Sequence, residues 1–158
     1  MKQPNQYLYN SPVGILTISS NGNAITRIVL NSEKTEANNI HSHKDPIIEQ
    51  CITELEEYFK GKRKTFTVPV DTDGTPFQKS IWTLLTLIPY GDTASYKDIA
   101  IKANSPKGFR AVGMANHYNP VPIIIPCHRV VNSNGTLGGY ALGLDVKEQL
   151  LSLEKNAA

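Results

Sequence analysis

The chain has 158 residues, enough for one ordinary domain or for two small domains that bury a core. Charged residues make up 19% of it and the net charge is only +2, so the charge total neither demands nor excludes a nucleic-acid partner. No apolar run approaches the length of a membrane span and the N-terminus lacks the apolar core of a signal peptide, so we expect a soluble protein.

The first thirty residues have the pattern of a small antiparallel sheet. Strand-like runs cover residues 7–9, 14–19 and 24–30. The turn-forming sequence at 21–23, Asn-Gly-Asn, separates the second run from the third. Residues 31–46 are polar and poor in apolar side chains, so we expect a surface loop there.

A helix is predicted after this loop. Pro46 suits its first turn, Gly61 ends the pattern, and one apolar face is expected to be buried. The residues of that face are Ile48, Ile52, Leu55 and Phe59. A further strand is predicted over residues 64–70, before a turn at 71–74.

From Thr75 onward helices replace strands, so we place a domain boundary near Asp73. The N-terminal sheet-and-helix domain then covers residues 1–73, and a second domain covers residues 74–158. Thr75 can cap a helix that ends before Pro89. The predicted buried side of that helix consists of Phe77, Ile81, Leu84, Leu85, Leu87 and Ile88.

Two shorter helices are predicted over residues 93–103 and 105–116, around a turn at 104–108. Such a pair is a helix-turn-helix candidate, although ordinary helix packing gives the same pattern. Positive charge on the pair comes from Lys97, Lys102, Lys107 and Arg110. Small residues in the second helix would let it approach a nucleic-acid groove closely, while a solvated basic face is the alternative for the lysines.

Residues 119–131 place a cysteine and a histidine together behind a proline. Three prolines and four β-branched residues predict a rigid, extended, buried connector that holds Cys127 in a fixed position. The thiolate is the reactive form of cysteine, and we expect the adjacent His128 and Arg129 to lower its pKa. Neighbouring side chains in an extended strand point apart, so Cys127 and His128 need a turn or a water to meet. The alternative is that Cys127 is only a small buried hydrophobe.

The other cysteine, Cys51, forms no spacing with Cys127 that is typical of disulfides or zinc sites. We interpret both cysteines as reduced thiols of a cytoplasmic protein. His41 and His43 lie near Cys51 in the sequence, but a fourth ligand is not apparent, so we expect loop histidines and no metal.

The last part of the chain predicts a turn at 132–135, a flexible loop at 138–140 and a helix over 144–155. Leucines and a valine of this helix are expected to pack inward, namely Leu144, Val146, Leu150, Leu151 and Leu153. Glu154 is either a solvated charge or the partner of a buried histidine.

The pentapeptide Pro126-Cys127-His128-Arg129-Val130 resembles, without a substitution, the active-site signature of the 6-O-alkylguanine-DNA alkyltransferases, also called methylated-DNA-protein-cysteine methyltransferases. The resemblance extends from Pro76 to the C-terminal helix. Residues at the family's places relative to Cys127 include Trp82, the turn 89–91, Tyr96, Pro106-Lys107, Arg110, Asn119-Pro120, Gly139-Tyr140 and Glu154. It implies an α/β fold, in which a small N-terminal antiparallel sheet with a helix (ribonuclease-H-like) precedes a C-terminal helical domain with the helix-turn-helix.

The resemblance implies an irreversible transfer to Cys127. The thiolate attacks the alkyl carbon on the O6 atom of a guanine, and guanine leaves. A water bridging Cys127 to His128, with Glu154 behind the imidazole, would take the thiol proton. Tyr96 matches the tyrosine that supplies a proton or a hydrogen bond at the N3 side of the departing base. The protein would act once and without a cofactor, because water cannot displace a thioether.

The implied partner is double-stranded DNA that carries an alkylated guanine, and we expect a monomer to bind it. The lesion must be flipped out of the duplex. The resemblance implies that the helix-turn-helix docks in the minor groove and that Arg110 fills the vacated stack. It assigns a DNA contact to Ser133, and Lys97 adds positive charge to the helix pair.

The resemblance also implies a pocket for the flipped base. Asn119, Val130 and Tyr140 match positions that shape this pocket or brace its hinge, and Pro122 matches one that leaves room for larger alkyl groups. Three residues depart from some relatives, namely Ser105, Asn116 and Ala141. They leave open the preference between methyl and larger groups.

Two other functions are compatible with the sequence. One is an alkylated-DNA-binding protein without transfer, although its known relatives carry tryptophan in place of the nucleophile. The other is a Cys-His thiol hydrolase that turns over an acyl intermediate.

Overall fold

The computed structural model describes residues 5–31, 45–140 and 142–157. The chain divides into two compact units, Met1–Asp73 and Gly74–Ala158. Most of the loop expected at 31–46, including His41 and His43, lies outside the described residues.

The first unit contains a three-stranded antiparallel sheet. Its strands are β1 (Asn5–Ser11), β2 (Gly14–Ser20) and β3 (Ile25–Asn31), and β2 is central. Leu16 and Ile18 alternate with less buried neighbours on β2, and Ile18 pairs across the strands with Ile28. All three are buried, so one face of the sheet forms the core of this unit. The predicted small antiparallel sheet is confirmed.

Helix α1 (Pro46–Phe59) starts where the sequence predicts, since the Asp45 carboxylate accepts hydrogen bonds from the amides of Ile47 and Ile48. Its predicted apolar face is partly wrong. Ile52 and Phe59 are only half-buried. The buried stripe instead consists of Ile48, Cys51, Glu54, Leu55 and Tyr58.

The predicted strand over residues 64–70 is wrong. These residues form no strand, and their one bridge to the sheet joins Val70 to Ile25. The buried carboxylate of Glu54 accepts hydrogen bonds from the amides of Thr67 and Val68, which a neighbouring strand would otherwise have used. Burial alone would raise the pKa of Glu54, but hydrogen bonds from Thr67, Gln50 and Val68 hold it below its usual value.

The second unit is mainly helical. Its elements are α2 (Pro76–Leu85), β4 (Ala94–Ser95), α3 (Tyr96–Lys102), α4 (Phe109–His117), β5 (Val130–Val131) and α5 (Leu144–Ala157), and β4 pairs in parallel with β5. Helix α2 has the expected Thr75 cap, which forms a capping box with Gln78, but it ends before the predicted Leu87, which is 68% exposed. Trp82 belongs to the buried side, and its Nε1 donates to the Ala115 carbonyl at 2.8 Å.

Helices α3 and α4 pack against each other across a short turn, as a helix-turn-helix requires. Both begin later than predicted. Ser95 caps α3 and forms a capping box with Asp98, so the helix cannot start at residue 93. Helix α4 starts at Phe109, because Asn104 adopts a φ of 59° and Pro106 follows it in the turn.

Helix α5 presents a mixed stripe inward. Its buried residues are Val146, Lys147, Leu150 and Glu154. Leu144, expected inside, is 52% exposed, and Leu151 and Leu153 are half-buried. Among the described helices, none is both long and apolar enough to cross a membrane.

Candidate active site

The connector that carries Cys127 is buried as predicted, but it is not extended throughout. Ile123 has a φ of 75°, an unusual conformation for a β-branched residue, and Cys127–Arg129 form one turn of 3₁₀-helix. Asn119 braces the bend, since its Nδ2 donates to the Ile125 carbonyl at 2.9 Å and its Oδ1 accepts from the Val121 amide at 3.0 Å. The predicted extended backbone is therefore wrong at the cysteine itself.

Cys127 lies on this turn and is fully buried. Burial raises the pKa of its thiol to about 11, while hydrogen bonds from Asn119 and Tyr140 and the positive charge of Lys147 act in the opposite direction. The thiol is therefore protonated at neutral pH. The expectation that His128 and Arg129 lower its pKa is wrong, because both side chains are directed to Glu154. A base must take the thiol proton before the sulfur can attack.

His128 is buried and forms a short hydrogen bond with Glu154, with 2.6 Å between Nε2 and Oε2. Burial lowers the pKa of the imidazole although Glu154 acts to raise it, so His128 is neutral. A carboxylate can only accept, so Nε2 carries the single ring proton and Nδ1 has a free lone pair. Nδ1 is buried and has no hydrogen-bond partner among the described residues. It is the available base.

Glu154 is a buried anion, not a solvated charge. Arg129 forms two hydrogen bonds with it, Nε to Oε1 at 2.7 Å and Nη2 to Oε2 at 3.0 Å, and donates from Nη1 to the Ile88 carbonyl. The amide of Gly91 also donates to Oε1, at 3.3 Å. Arg129 and Gly91 thus hold Glu154 together with His128, and the sequence assigned neither of them to it.

Lys147 is a site residue that sequence reasoning missed. It is fully buried, and its Nζ donates to the carbonyls of Val130, Leu137 and Gly139. Burial lowers the pKa of its ammonium group to about 8, against the effect of Cys127, which raises it. The available signal was its helix position, one residue after Val146 on the stripe that continues through Leu150.

A cavity of about 650 Å³ opens beside the buried residues around Cys127. It is lined by Tyr96, Lys97, Pro106, Phe109, Gly113, Asn116, His117, Asn132, Ser133, Gly139 and Tyr140. Four residues that the sequence singled out for substrate or DNA therefore lie together here, namely Tyr96, Lys97, Ser133 and Tyr140. Cys127, Asn119, Pro122 and Val130 are buried in the connector and are not among the lining residues.

Two tyrosines join the cavity to the thiol. The Tyr140 hydroxyl acts to lower the pKa of the Cys127 thiol, and the Tyr140 ring lies edge-on to His128 with 6.4 Å between the centroids. Burial and the nearby Cys127 charge raise the pKa of Tyr96, while a hydrogen bond with Asn116 lowers it. The phenol of Tyr96 is therefore a proton-bearing group at neutral pH, close to the sulfur.

The loop at 138–140 also lies close to Tyr96. Gly138 has a φ of 71°, and a Cβ built on it would lie 3.2 Å from both the ring and the hydroxyl of Tyr96. The loop expected to be flexible therefore contacts the site closely through a glycine backbone.

Arg110 lies on the first turn of α4 and is exposed, outside the cavity lining. Lys97 and Ser133 are also exposed. At Gly113, on the same helix, a Cβ would meet nothing within 4 Å, so the surface of α4 is open at that point. This face offers cations and space for a phosphate backbone to approach. Within the part of the chain that the structure describes, no group of three histidine, cysteine or carboxylate side chains could hold a metal ion.

Both units match one protein family. Residues 76–156 match the 6-O-methylguanine DNA methyltransferase, DNA binding domain, and residues 6–72 match the 6-O-methylguanine DNA methyltransferase, ribonuclease-like domain. The methylated-DNA–protein-cysteine methyltransferase of Methanosarcina barkeri is 41% identical over 151 residues, covering 94% of this chain and 96% of that protein. The constitutive methylated-DNA–protein-cysteine methyltransferase of Bacillus subtilis is 42% identical over 151 residues, covering 92% of each.

The fold is shared with solved structures. The crystal structure of Mycobacterium tuberculosis OGT in complex with DNA aligns with a TM-score of 0.87 at 37% identity, covering 98% of this chain and 94% of that chain. The similarity in sequence and in fold therefore extends over nearly the whole chain.

Proposed function

Since the chain belongs to the 6-O-methylguanine DNA methyltransferase family, we propose that it repairs alkylated DNA by moving the alkyl group from the O6 atom of guanine to its own Cys127. The observation that carries this proposal is the arrangement of Cys127. A buried thiol and a neutral histidine that a carboxylate orients stand on one 3₁₀ turn, next to a cavity with two tyrosines. This arrangement provides a nucleophile, a base and an acid in one place.

The first step is removal of the thiol proton. Nδ1 of His128 accepts it through a bridging water, and the imidazolium that forms is stabilised by Glu154 at 2.6 Å from Nε2. Arg129 and Gly91 hold Glu154 in place through hydrogen bonds to Oε1. The thiolate is then stabilised by the Lys147 ammonium and by hydrogen bonds from Asn119 and Tyr140.

The second step is displacement at the alkyl carbon. The sulfur of Cys127 forms a bond to this carbon while the bond between the carbon and O6 breaks, and the electron pair leaves with the guanine. Tyr96 donates its hydroxyl proton or a hydrogen bond to the N3 side of the departing base. The product is an alkyl thioether. Water cannot displace the cysteine thiolate from its alkyl carbon, so each protein molecule acts once.

DNA is the macromolecular partner, and we propose that a monomer binds a duplex that contains an alkylated guanine. Flipping the base costs a few kcal/mol of stacking and pairing. Arg110 enters the vacated stack from the first turn of α4, while Lys97 and Ser133 contact the DNA backbone beside the cavity. Asn119 and Val130 brace the pocket from the buried connector that carries Cys127, and Pro122 leaves room there for larger alkyl groups.

We propose that residues 74–158 form the DNA-binding and catalytic domain and that residues 1–73 form a separate N-terminal domain. All groups assigned to the reaction belong to the unit Gly74–Ala158, which supports this division. We also propose a cytoplasmic location, which is supported by the unpaired state of Cys51 and Cys127 and by the need for a reduced nucleophile.

The alternative of a DNA-binding protein without transfer is not favoured, since the similar proteins are named methyltransferases and Cys127 stands in the reactive position. The thiol-hydrolase alternative predicts many turnovers and no lasting adduct, which separates it from single transfer in one experiment.

That experiment is intact-mass measurement after mixing the protein with excess duplex DNA that carries one O6-methylguanine. We expect every molecule to gain the mass of one methylene group, with peptide mapping placing it on Cys127 and repair stopping at one equivalent. The Cys127→Ser variant should bind the same DNA and gain nothing. An unchanged wild-type mass, or repair beyond one equivalent, would contradict the proposal.

A further inference from the structure

The cavity contains a polar atom for which the proposed reaction has no use. Asn116 lies on α4, is 3% exposed, and lines the cavity together with Tyr96 and Tyr140. Its Nδ2 donates to the Cys127 carbonyl at 3.3 Å, and Asn116 also acts to lower the pKa of the nearby Tyr96. Its Oδ1 is buried and finds no hydrogen-bond partner within residues 5–31, 45–140 and 142–157.

The orientation of this amide follows from its partner. A backbone carbonyl can only accept, so the NH₂ group of Asn116 must face the Cys127 oxygen. A flipped amide would instead point Oδ1 at that oxygen, so that two acceptors faced each other. Oδ1 is then fixed as an acceptor without a donor. Buried acceptors of this kind are rare in native proteins and costly to maintain, so their presence calls for a donor from elsewhere.

The proposed substrate has one suitable donor. When O6 of guanine is alkylated, N1, N3 and N7 are hydrogen-bond acceptors, and the exocyclic 2-amino group is the only N–H donor of the base. An O4-alkylated thymine has no N–H donor at all. An O6-alkylated hypoxanthine differs from the guanine lesion only in lacking the 2-amino group, so it leaves the Asn116 oxygen unpaired.

Resting on the proposed function, we infer that Asn116 is a specificity-determining residue whose Oδ1 accepts a hydrogen bond from the 2-amino group of the flipped guanine. The anchoring of Nδ2 on the Cys127 carbonyl fixes the distance between this acceptor and the nucleophile. Recognition of the amino edge and placement of the alkyl carbon are thereby coupled through one side chain. An aliphatic side chain at this position would fill the wall without selecting a guanine lesion.

The test compares two duplexes that are identical except for O6-methylguanine or O6-methylhypoxanthine at one position. Single-turnover methyl transfer to Cys127 is measured for each, and the ratio of the two rate constants is the readout. We expect the wild-type protein to favour guanine by about tenfold or more, and Asn116→Leu to reduce this ratio by about tenfold. Loss of the hydrogen bond to the Cys127 carbonyl slows both reactions alike and cancels in the ratio.

Two further variants make the test decisive. Asn116→Ala removes the same oxygen without adding bulk, and it replaces Asn116→Leu if circular dichroism shows that the leucine variant is unfolded. Asn134→Leu, at an exposed amide outside the cavity, is the matched control and should leave the ratio unchanged.

The possible outcomes separate the two proposals. A wild-type ratio near one, or a high ratio that persists in both Asn116 variants, would overturn the role of Asn116 and would mean that its oxygen meets only water. Absence of any methyl adduct on Cys127 from either lesion would overturn the proposed function, and the inference with it.

Discussion

Glu154 and Arg129 form a buried ion pair with 2.7 Å between Oε1 and Nε, whereas Glu57 and Arg63 form a nearly identical contact at 2.8 Å on the surface. The side chains of the first pair are 1% and 7% exposed, and those of the second pair 43% and 27%. One chain therefore contains the same interaction in two dielectric environments.

We expect Glu154→Gln to lower the free energy of unfolding by about 3 kcal/mol or more, because it leaves the guanidinium of Arg129 buried without a counter-charge. Glu57→Gln should change it by less than about 1 kcal/mol. Urea denaturation of both variants measures the difference. Equal effects would contradict the view that Arg129 depends on Glu154 for its burial.

The rate of methyl transfer should depend on the charge state of His128. Burial lowers the pKa of its imidazole, so the neutral base persists below the pH at which an ordinary histidine is protonated. As the pH is lowered from neutral to about 6.5, the single-turnover rate should therefore stay constant, and it should fall only in more acidic solution. The His128→Gln variant should react about a hundredfold more slowly, and its rate should no longer fall in acidic solution. A rate that halves at the ordinary histidine pKa would show that the imidazole is not buried during the reaction.

Gly138→Ala should slow transfer by displacing Tyr96. Gly138 and Gly135 both have positive φ, 71° and 86°, so alanine at either position costs about 1 kcal/mol or more of stability. Only at Gly138 would the new Cβ press on another residue, the Tyr96 ring at 3.2 Å, whereas at Gly135 it meets nothing within 4 Å. Single-turnover rates should fall at least about tenfold in Gly138→Ala and stay near wild type in Gly135→Ala. Equal rates in the two variants would reject contact with Tyr96 as the cause.

Arg110→Ala should impair repair of duplex DNA much more than reaction with a free O6-alkylguanine base, because only the duplex requires flipping. The expected loss on the duplex is about tenfold to a hundredfold, the range that a few kcal/mol of lost stacking allows. Lys102→Ala, an exposed cation on α3, serves as the charge-matched control. Similar losses with both substrates would remove Arg110 from the flipping step.

Local sequence signals located most of the fold. Asp45 and Thr75 cap helices that begin where their patterns predict, and the three strand-like runs correspond to β1, β2 and β3. The misplaced strand at 64–70 has a long-range cause, because Glu54 takes backbone donors from residues 13 and 14 positions away in the sequence. A side chain that competes for a strand's amides cannot be recognised from the pattern of the strand itself.

The candidate site shows the same limit. The signature around Cys127 gives the identities of nucleophile and base, but not the 3₁₀ turn that carries them or the raised pKa of the thiol. Lys147 escaped notice because lysine is ordinarily counted as a surface residue, and two of its three carbonyl partners, Leu137 and Gly139, lie in a loop without a regular pattern.

Trp82 gives the protein an intrinsic fluorophore. It is the only tryptophan in the sequence, and the aromatic residues of Met1–Asp73 are tyrosines and phenylalanines. Its indole is bonded to Ala115, the residue before Asn116 on α4, so its emission is sensitive to movements of the helix that lines the cavity. Tryptophan emission therefore follows the second unit alone, and stopped-flow fluorescence with unlabelled DNA can time the docking of α4 separately from methyl transfer.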